Sequence, residues 1–168
     1  MPPTPAPADV IRSVVAGVSR LIAGQLTDEQ KQAQLDELAG LYAEHTDVRH
    51  PFAPLGDTPL RTRDQLRQHF AEGPAQTHTA ERFEAIGQIH ETSDPEVVIY
   101  EFSYVGSVNG RPFVMPCIFV ARVRDGVIVE SRDYGDHLAF ARAFGRIESL
   151  TAALAEMGHN VPPLTQEV

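Results

Sequence analysis

The stretch 97-VVIYEFSYVGSVNGRPFVMPCIFVARVRDGVIVESRDY-134 decides the fold. It is rich in β-branched and aromatic residues and is interrupted twice, at Asn109-Gly110 and at Asp125-Gly126. Those dipeptides suit a two-residue hairpin, because both central positions of its type I′ turn need positive φ. The pattern therefore predicts three long strands in a meander, over residues 97–108, 113–124 and 127–134. Upstream, residues 83–91 read as a further strand, with Ser93-Asp94-Pro95 as its turn. Everything from Arg82 to Asp136 is expected to be antiparallel sheet.

Outside that sheet the apolar spacing becomes helical. Val10, Ile11, Val14, Val15, Val18, Leu21 and Ile22 fall on one stripe of a helix over residues 9–22, which Gly24 ends. Thr27 and Gln30 have the spacing of a capping box, opening a second helix whose stripe is Leu35, Leu38, Leu41 and Tyr42. Residues 46–52 predict a short strand, 54–59 a turn-rich connector, and 63–71 a third helix stopped by Gly73 and Pro74. From His137 helical spacing returns through Leu138, Phe140, Phe144, Ile147, Leu150 and Leu154, with a break at Gly145. Helices followed by a twisted antiparallel sheet make an α+β architecture, and the concave mouth of a curved sheet is the default ligand site. One domain is expected over residues 9–158, between a disordered tail at 1–8 and a C-terminal tail at 159–168.

Composition narrows the function. At 168 residues the chain can bury a core without disulfides, and its 42% apolar and 22% charged content is that of a globular protein rather than a disordered or membrane chain. No apolar run reaches the roughly 20 residues of a spanning helix, and the proline-rich start lacks the pattern of a secretory signal. Cys117 is the one cysteine, which excludes an internal disulfide or a multi-thiolate zinc site and fits a cytoplasmic location. A net charge of −9 argues against nucleic acid as a partner. Lys31 is the sole lysine and falls on an exposed helix face, which disfavours Schiff-base chemistry.

The segments 41-LYAEHTDVRHP-51 and 59-PLRTRDQLRQHF-70 resemble the entry signature of the nuclear transport factor 2-like superfamily. At the other end, 125-DGVIVESRDYGD-136 with the following His137-Leu-Ala-Phe is similar to the last strand and exit helix of SnoaL-like polyketide cyclases, limonene-epoxide hydrolase and phenazine-biosynthesis relatives. The resemblance spans residues 10–145. It implies a cone-shaped, cystatin-like α+β roll: a curved antiparallel sheet packed on N-terminal helices, enclosing a small apolar molecule and dimerising through the outer sheet face. Fold does not settle activity in such a superfamily. Laid over this chain, the ketosteroid isomerase base falls on His50 and its oxyanion-hole acid on Ile118, and the first helix has no tyrosine to supply the phenol. Of the three epoxide-hydrolase positions, Asp133 matches, while the other two fall on Tyr100 and Phe102.

Alternation along strands then selects candidate pocket residues. These are His50 with Val48, then Tyr100, Phe102 and Tyr104, then Val114, Pro116, Ile118 and Val120, and finally Ser131, Asp133 and Gly135. Cys117, by the same alternation, faces away. His50 and Asp133 form the candidate acid–base pair, because an imidazole titrates near neutrality and a facing carboxylate can orient it. In an apolar pocket Asp133 can instead hold its proton and act as the acid. Tyr100 or Tyr104 can donate to a substrate oxygen that becomes an enolate. Each residue also has a plainer reading. His50 can bond a backbone carbonyl, Asp133 can pair with Arg132 or Arg122 or cap the next turn, and the tyrosines can be core aromatics. The histidine pairs His45/His50 and His69/His78 lack the spacing of a metal motif, so no metal is expected.

The leading expectation is a SnoaL-like enzyme performing cofactor-independent proton transfer on an apolar carbonyl compound, as a cyclase or isomerase. The rivals are a non-catalytic binder of a small apolar molecule and an epoxide hydrolase or dehydratase. A binder predicts a pocket whose polar groups satisfy one another; an enzyme predicts His50 and Asp133 converging on one ligand.

Overall fold

Thr27 begins its helix as the capping box requires: its Oγ1 accepts the Gln30 N–H at 3.2 Å, and Gln30 Oε1 accepts the Thr27 N–H at 2.9 Å. In the computed structural model, which describes residues 4–76 and 80–158, this helix is α2 (Asp28–Gly40), preceded by α1 (Pro7–Ala23). The first helix takes in Pro7 and Ala8 of the expected tail, because proline at the first helical position costs no hydrogen bond and has its φ already set. Residues 1–3, the tail at 159–168 and His78 lie outside the described residues. Val10, Ile11, Val14, Val15, Leu21 and Ile22 of α1 are buried, as the stripe predicts. Where α1 crosses α2, Gly17 makes room for the fully buried Leu38; a Cβ there would lie 2.6 Å from the Leu38 Cδ2.

Tyr42, expected on the stripe of α2, instead opens the strand β1 (Tyr42–Arg49). The carbonyls that would continue the helix are taken by other partners. Leu41 O accepts the N–H of Ile128 at 2.9 Å, and Tyr42 O accepts Nε and Nη2 of Arg63 at 3.0 and 2.8 Å. A strand the sequence did not disclose, β2 (Leu60–Thr62), pairs antiparallel with β1 and leads into α3 (Arg63–Glu72). Three residues carry too short a pattern to read.

The meander consists of β3 (Arg82–Glu91), β4 (Val97–Val108), β5 (Arg111–Arg124) and β6 (Val127–Gly135). Asn109 and Gly110 have φ of 52° and 72°, and Asp125 and Gly126 have 52° and 80°, the left-handed pairs the hairpins demand. Strand β6 then pairs in parallel with β1, with Val48 opposite Ser131, giving one curved, unclosed sheet in the order β2-β1-β6-β5-β4-β3. Helix α1 packs across β3, β4 and β5, and α3 closes the side nearer β1. Two short helices follow, α4 (His137–Ala143) and α5 (Ile147–Gly158), broken at Gly145 with φ 67°. The chain thus adopts the expected α+β architecture, a curved sheet on N-terminal helices.

Candidate active site

The inner face of the sheet is fixed by the first hairpin. Its two-residue turn sets Val108 opposite Arg111, so every even residue of β4 faces the same side as an odd residue of β5. Tyr100, Phe102 and Tyr104 are buried on the inner side, as expected, and their partners there are Phe119, Cys117 and Met115. Val114, Pro116, Ile118 and Val120 accordingly stand on the outer face, with Val114 60% and Ile118 42% exposed. The expected alternation on β5 is therefore inverted, and Cys117 faces the pocket rather than away. The Asn109-Gly110 dipeptide carries this parity, since a two-residue connection allows no other pairing of even with odd.

Between the sheet, α1, α3 and α4 lies a cavity of about 270 Å³. Its apolar wall includes Val14, Val48, Leu66, Phe70, Met115 and Phe119. Tyr104 lines it, whereas Tyr100 and Phe102 do not, stacking on each other at 4.4 Å in the adjoining core. His50, one residue past the end of β1, and Asp133 of β6 meet across it, with His50 Nε2 3.8 Å from Asp133 Oδ2. That separation is too long for a hydrogen bond and short enough for one ligand atom to touch both groups. The His50 backbone N–H donates to Asp57 Oδ1 at 2.9 Å, and its ring lies beside that of His69, tilted by 34° with centroids 5.0 Å apart.

Among the described residues Asp133 has no arginine partner within salt-bridge distance. Arg132 is engaged by Asp47 and Glu130, at 2.8 and 3.0 Å, and Arg122 by Asp94 and Glu96. The Asp133 carboxyl is buried and, among the described residues, accepts only the hydroxyl of Ser131, itself buried. Burial pushes its pKa up to about 7, against the opposing effects of the Ser131 bond and of Arg132. Burial drives His50 the other way, down to about 4, helped by the nearby His69 and His137. At neutral pH the imidazole is thus uncharged and Asp133 is the group that titrates. Burial likewise raises the Cys117 thiol to about 12, which keeps it protonated and unsuited to nucleophilic attack.

Several pocket groups escaped the sequence reading. Tyr42 lines the cavity with Tyr104, and neither phenol oxygen has a hydrogen-bond partner among the described residues. Burial first, then the neighbouring charge of Asp133, raises the Tyr42 phenol well above its ordinary value; for Tyr104, burial is followed by Cys117 and Asp133. His69 and His137 also line the cavity, both held below the usual imidazole range by burial. The apolar neighbours of Tyr42 made it look like a helix-stripe residue, and His137 carried no signal beyond its place before an apolar helix. Among the described residues no group of three or more His, Cys, Asp or Glu has the arrangement of a metal site. No described helix is long and apolar enough to cross a membrane.

A curved open sheet with its cavity between the concave face and the N-terminal helices defines the nuclear transport factor 2-like α+β roll. Within that class the chain belongs to the SnoaL-like domain family, whose model matches residues 24–131. A PhzA/B-like protein of Pseudomonas aeruginosa with no assigned activity is 34% identical over 105 residues, covering 61% of this chain and 72% of that protein. The YesE protein of Bacillus subtilis is 33% identical over 109 residues, covering 62% and 72%. Among solved structures, a provisionally assigned isomerase from Bacillus subtilis superposes with a TM-score of 0.64 at 25% identity, covering 83% of this chain and 92% of that one.

Proposed function

We propose that the protein is a small-molecule enzyme that moves a proton on an apolar carbonyl compound without a cofactor, as an isomerase or cyclase. The observation that carries this reading is Asp133: a buried carboxyl with no arginine partner among the described residues, facing an apolar cavity and poised at about pH 7. A general acid–base group works best with a pKa near the working pH. The ionised form takes a proton from the carbon beside the carbonyl, and the protonated form returns it elsewhere on the same substrate. This reverses the roles expected of the pair: His50, neutral down to about pH 4, is too weak a base and serves as a hydrogen-bonding partner to the substrate. The hydroxyls of Tyr42 and Tyr104 donate to the carbonyl oxygen as negative charge develops there.

The unpartnered phenols favour this reading over a passive binder, whose polar groups would satisfy one another. An epoxide hydrolase of the limonene type has less support, because Tyr100 and Phe102 fill the positions of its second carboxylate and its arginine. The proposal includes a cytoplasmic homodimer formed through the outer sheet face, where Ile86, Val114 and Ile118 are exposed.

Exchange of α-protons of apolar cyclic ketones in D₂O, followed by NMR, tests the assignment. The protein is expected to accelerate exchange and Asp133→Asn to lose about 100-fold or more of that acceleration. Undiminished exchange with the variant refutes Asp133 as the proton carrier; no acceleration by the parent protein across the ketone panel favours the binder.

A further inference from the structure

Asp133 and His50 do not exhaust the polar groups of the cavity. His137, the first residue of α4, lines it and also three clefts that adjoin it, of about 1020, 460 and 410 Å³. Its Nε2 is buried and has no hydrogen-bond partner among the described residues. A ring nitrogen left in that state is destabilising unless something else meets it. Arg146 lines the same cavity and the cleft of about 460 Å³, with Phe140 shared between them.

The setting of Arg146 differs from that of the arginines on the sheet. Arg49, Arg122 and Arg132 each bridge two carboxylates. The guanidinium of Arg146 has no carboxylate partner among the described residues, although its backbone is held firmly. Its N–H donates to Ala141 O at 2.7 Å, and its carbonyl accepts from Leu150 N at 3.0 Å and Ser149 Oγ at 3.0 Å. Asp136, which also lines the cavity and whose charge acts on His137, caps α4 by accepting the Ala139 N–H at 2.8 Å. A cation and an imidazole nitrogen without a partner among the described residues thus both line an apolar cavity that has Asp133 on its wall, and both line the same neighbouring cleft.

We propose that the natural ligand carries a carboxylate, held at the cavity mouth by the Arg146 guanidinium and the Nε2–H of His137, while its apolar body extends inward to Asp133. The planar fork of a guanidinium matches a carboxylate in two parallel hydrogen bonds. A single negative charge also suits a chain of net charge −9 better than a phosphate would, because the surrounding field repels a dianion more strongly. The substrate class becomes that of apolar oxo acids, which deepens the proton-transfer reading and rests on it only for the reacting end.

Calorimetric titration with 2-naphthoate and its neutral counterpart 2-naphthamide, at pH 7 and low salt, tests the proposal. The acid is expected to bind at least about tenfold more tightly than the amide, since a charge-assisted hydrogen bond has roughly that worth. Arg146→Gln, at an exposed position, should abolish the preference, His137→Gln should reduce it, and Asp133→Asn should keep it. Melting curves of each variant identify any loss of fold, and the decision rests on Arg146→Gln. Equal binding of acid and amide, no binding of the acid, or an undiminished preference in Arg146→Gln overturns the proposal. Ketone exchange lost in Asp133→Asn without any acid preference refutes the carboxylate alone; the preference with undiminished exchange in Asp133→Asn refutes the proton-transfer reading alone.

Discussion

Replacing Asp133 with Asn should stabilise the protein in alkaline solution and leave it nearly unchanged in acid. The folded carboxyl has a pKa raised from 3.8 to about 7 by burial. The native state therefore binds the proton more tightly than the unfolded chain does. Stability from this group is fully present below the unfolded pKa and is lost as pH rises through the folded one. Tenfold in proton affinity is 1.36 kcal/mol, so the change from 3.8 to about 7 corresponds to about 4 kcal/mol lost between pH 4 and pH 8. Asparagine keeps the shape and can still accept the Ser131 hydroxyl, but it does not ionise. With a urea m-value of about 2 kcal/mol/M, the variant's midpoint should exceed that of the parent by about 2 M at pH 8.5 and coincide with it near pH 4. Midpoints that track each other across this range would refute the raised pKa and with it the reading of Asp133 as a group poised near neutrality.

Two further predictions concern the partner of Asp133 and the outer face of the sheet. Ser131→Ala removes the side-chain hydroxyl that donates to the carboxylate, so the Asp133 titration, read by ¹³C NMR of the carboxyl, should move upward by about one pH unit; no movement or a downward one contradicts the geometry. Sedimentation should give the mass of two 18.4 kDa chains for the parent and of one for Ile118→Glu, and a one-chain mass for the parent rules out the proposed dimer.

The sequence disclosed the elements whose chemistry is local. Asn109-Gly110, Asp125-Gly126 and the Thr27/Gln30 box each specify a backbone geometry within a few residues, and each occurs where read. The inner position of Asp133 followed from alternation on β6, and that of Tyr104 from alternation on β4. Alternation on β5 went wrong because the strands were read singly; the pairing Val108↔Arg111 couples their faces, and it was implicit in the turn already identified. Tyr42 was misplaced for another reason. Its departure from the helix is decided by Arg63 and Ile128, far along the chain, which occupy the carbonyls a helix would use. The exchange of roles between Asp133 and His50 was only half legible. Burial sets both pKa values, and burial depends on how α3 and α4 close over the sheet.

The parallel pairing of β1 with β6 has a consequence for biosynthesis. Val48 finds its neighbour Ser131 only after the whole meander has been made. At about 5–20 residues per second, the chain between them takes on the order of 4–16 s to be translated. Through that interval the buried apolar side chains of β1, Tyr42 and Val48, have no neighbouring strand on this side. The cavity comes into being last, and the carboxyl of Asp133 arrives on the strand that completes it.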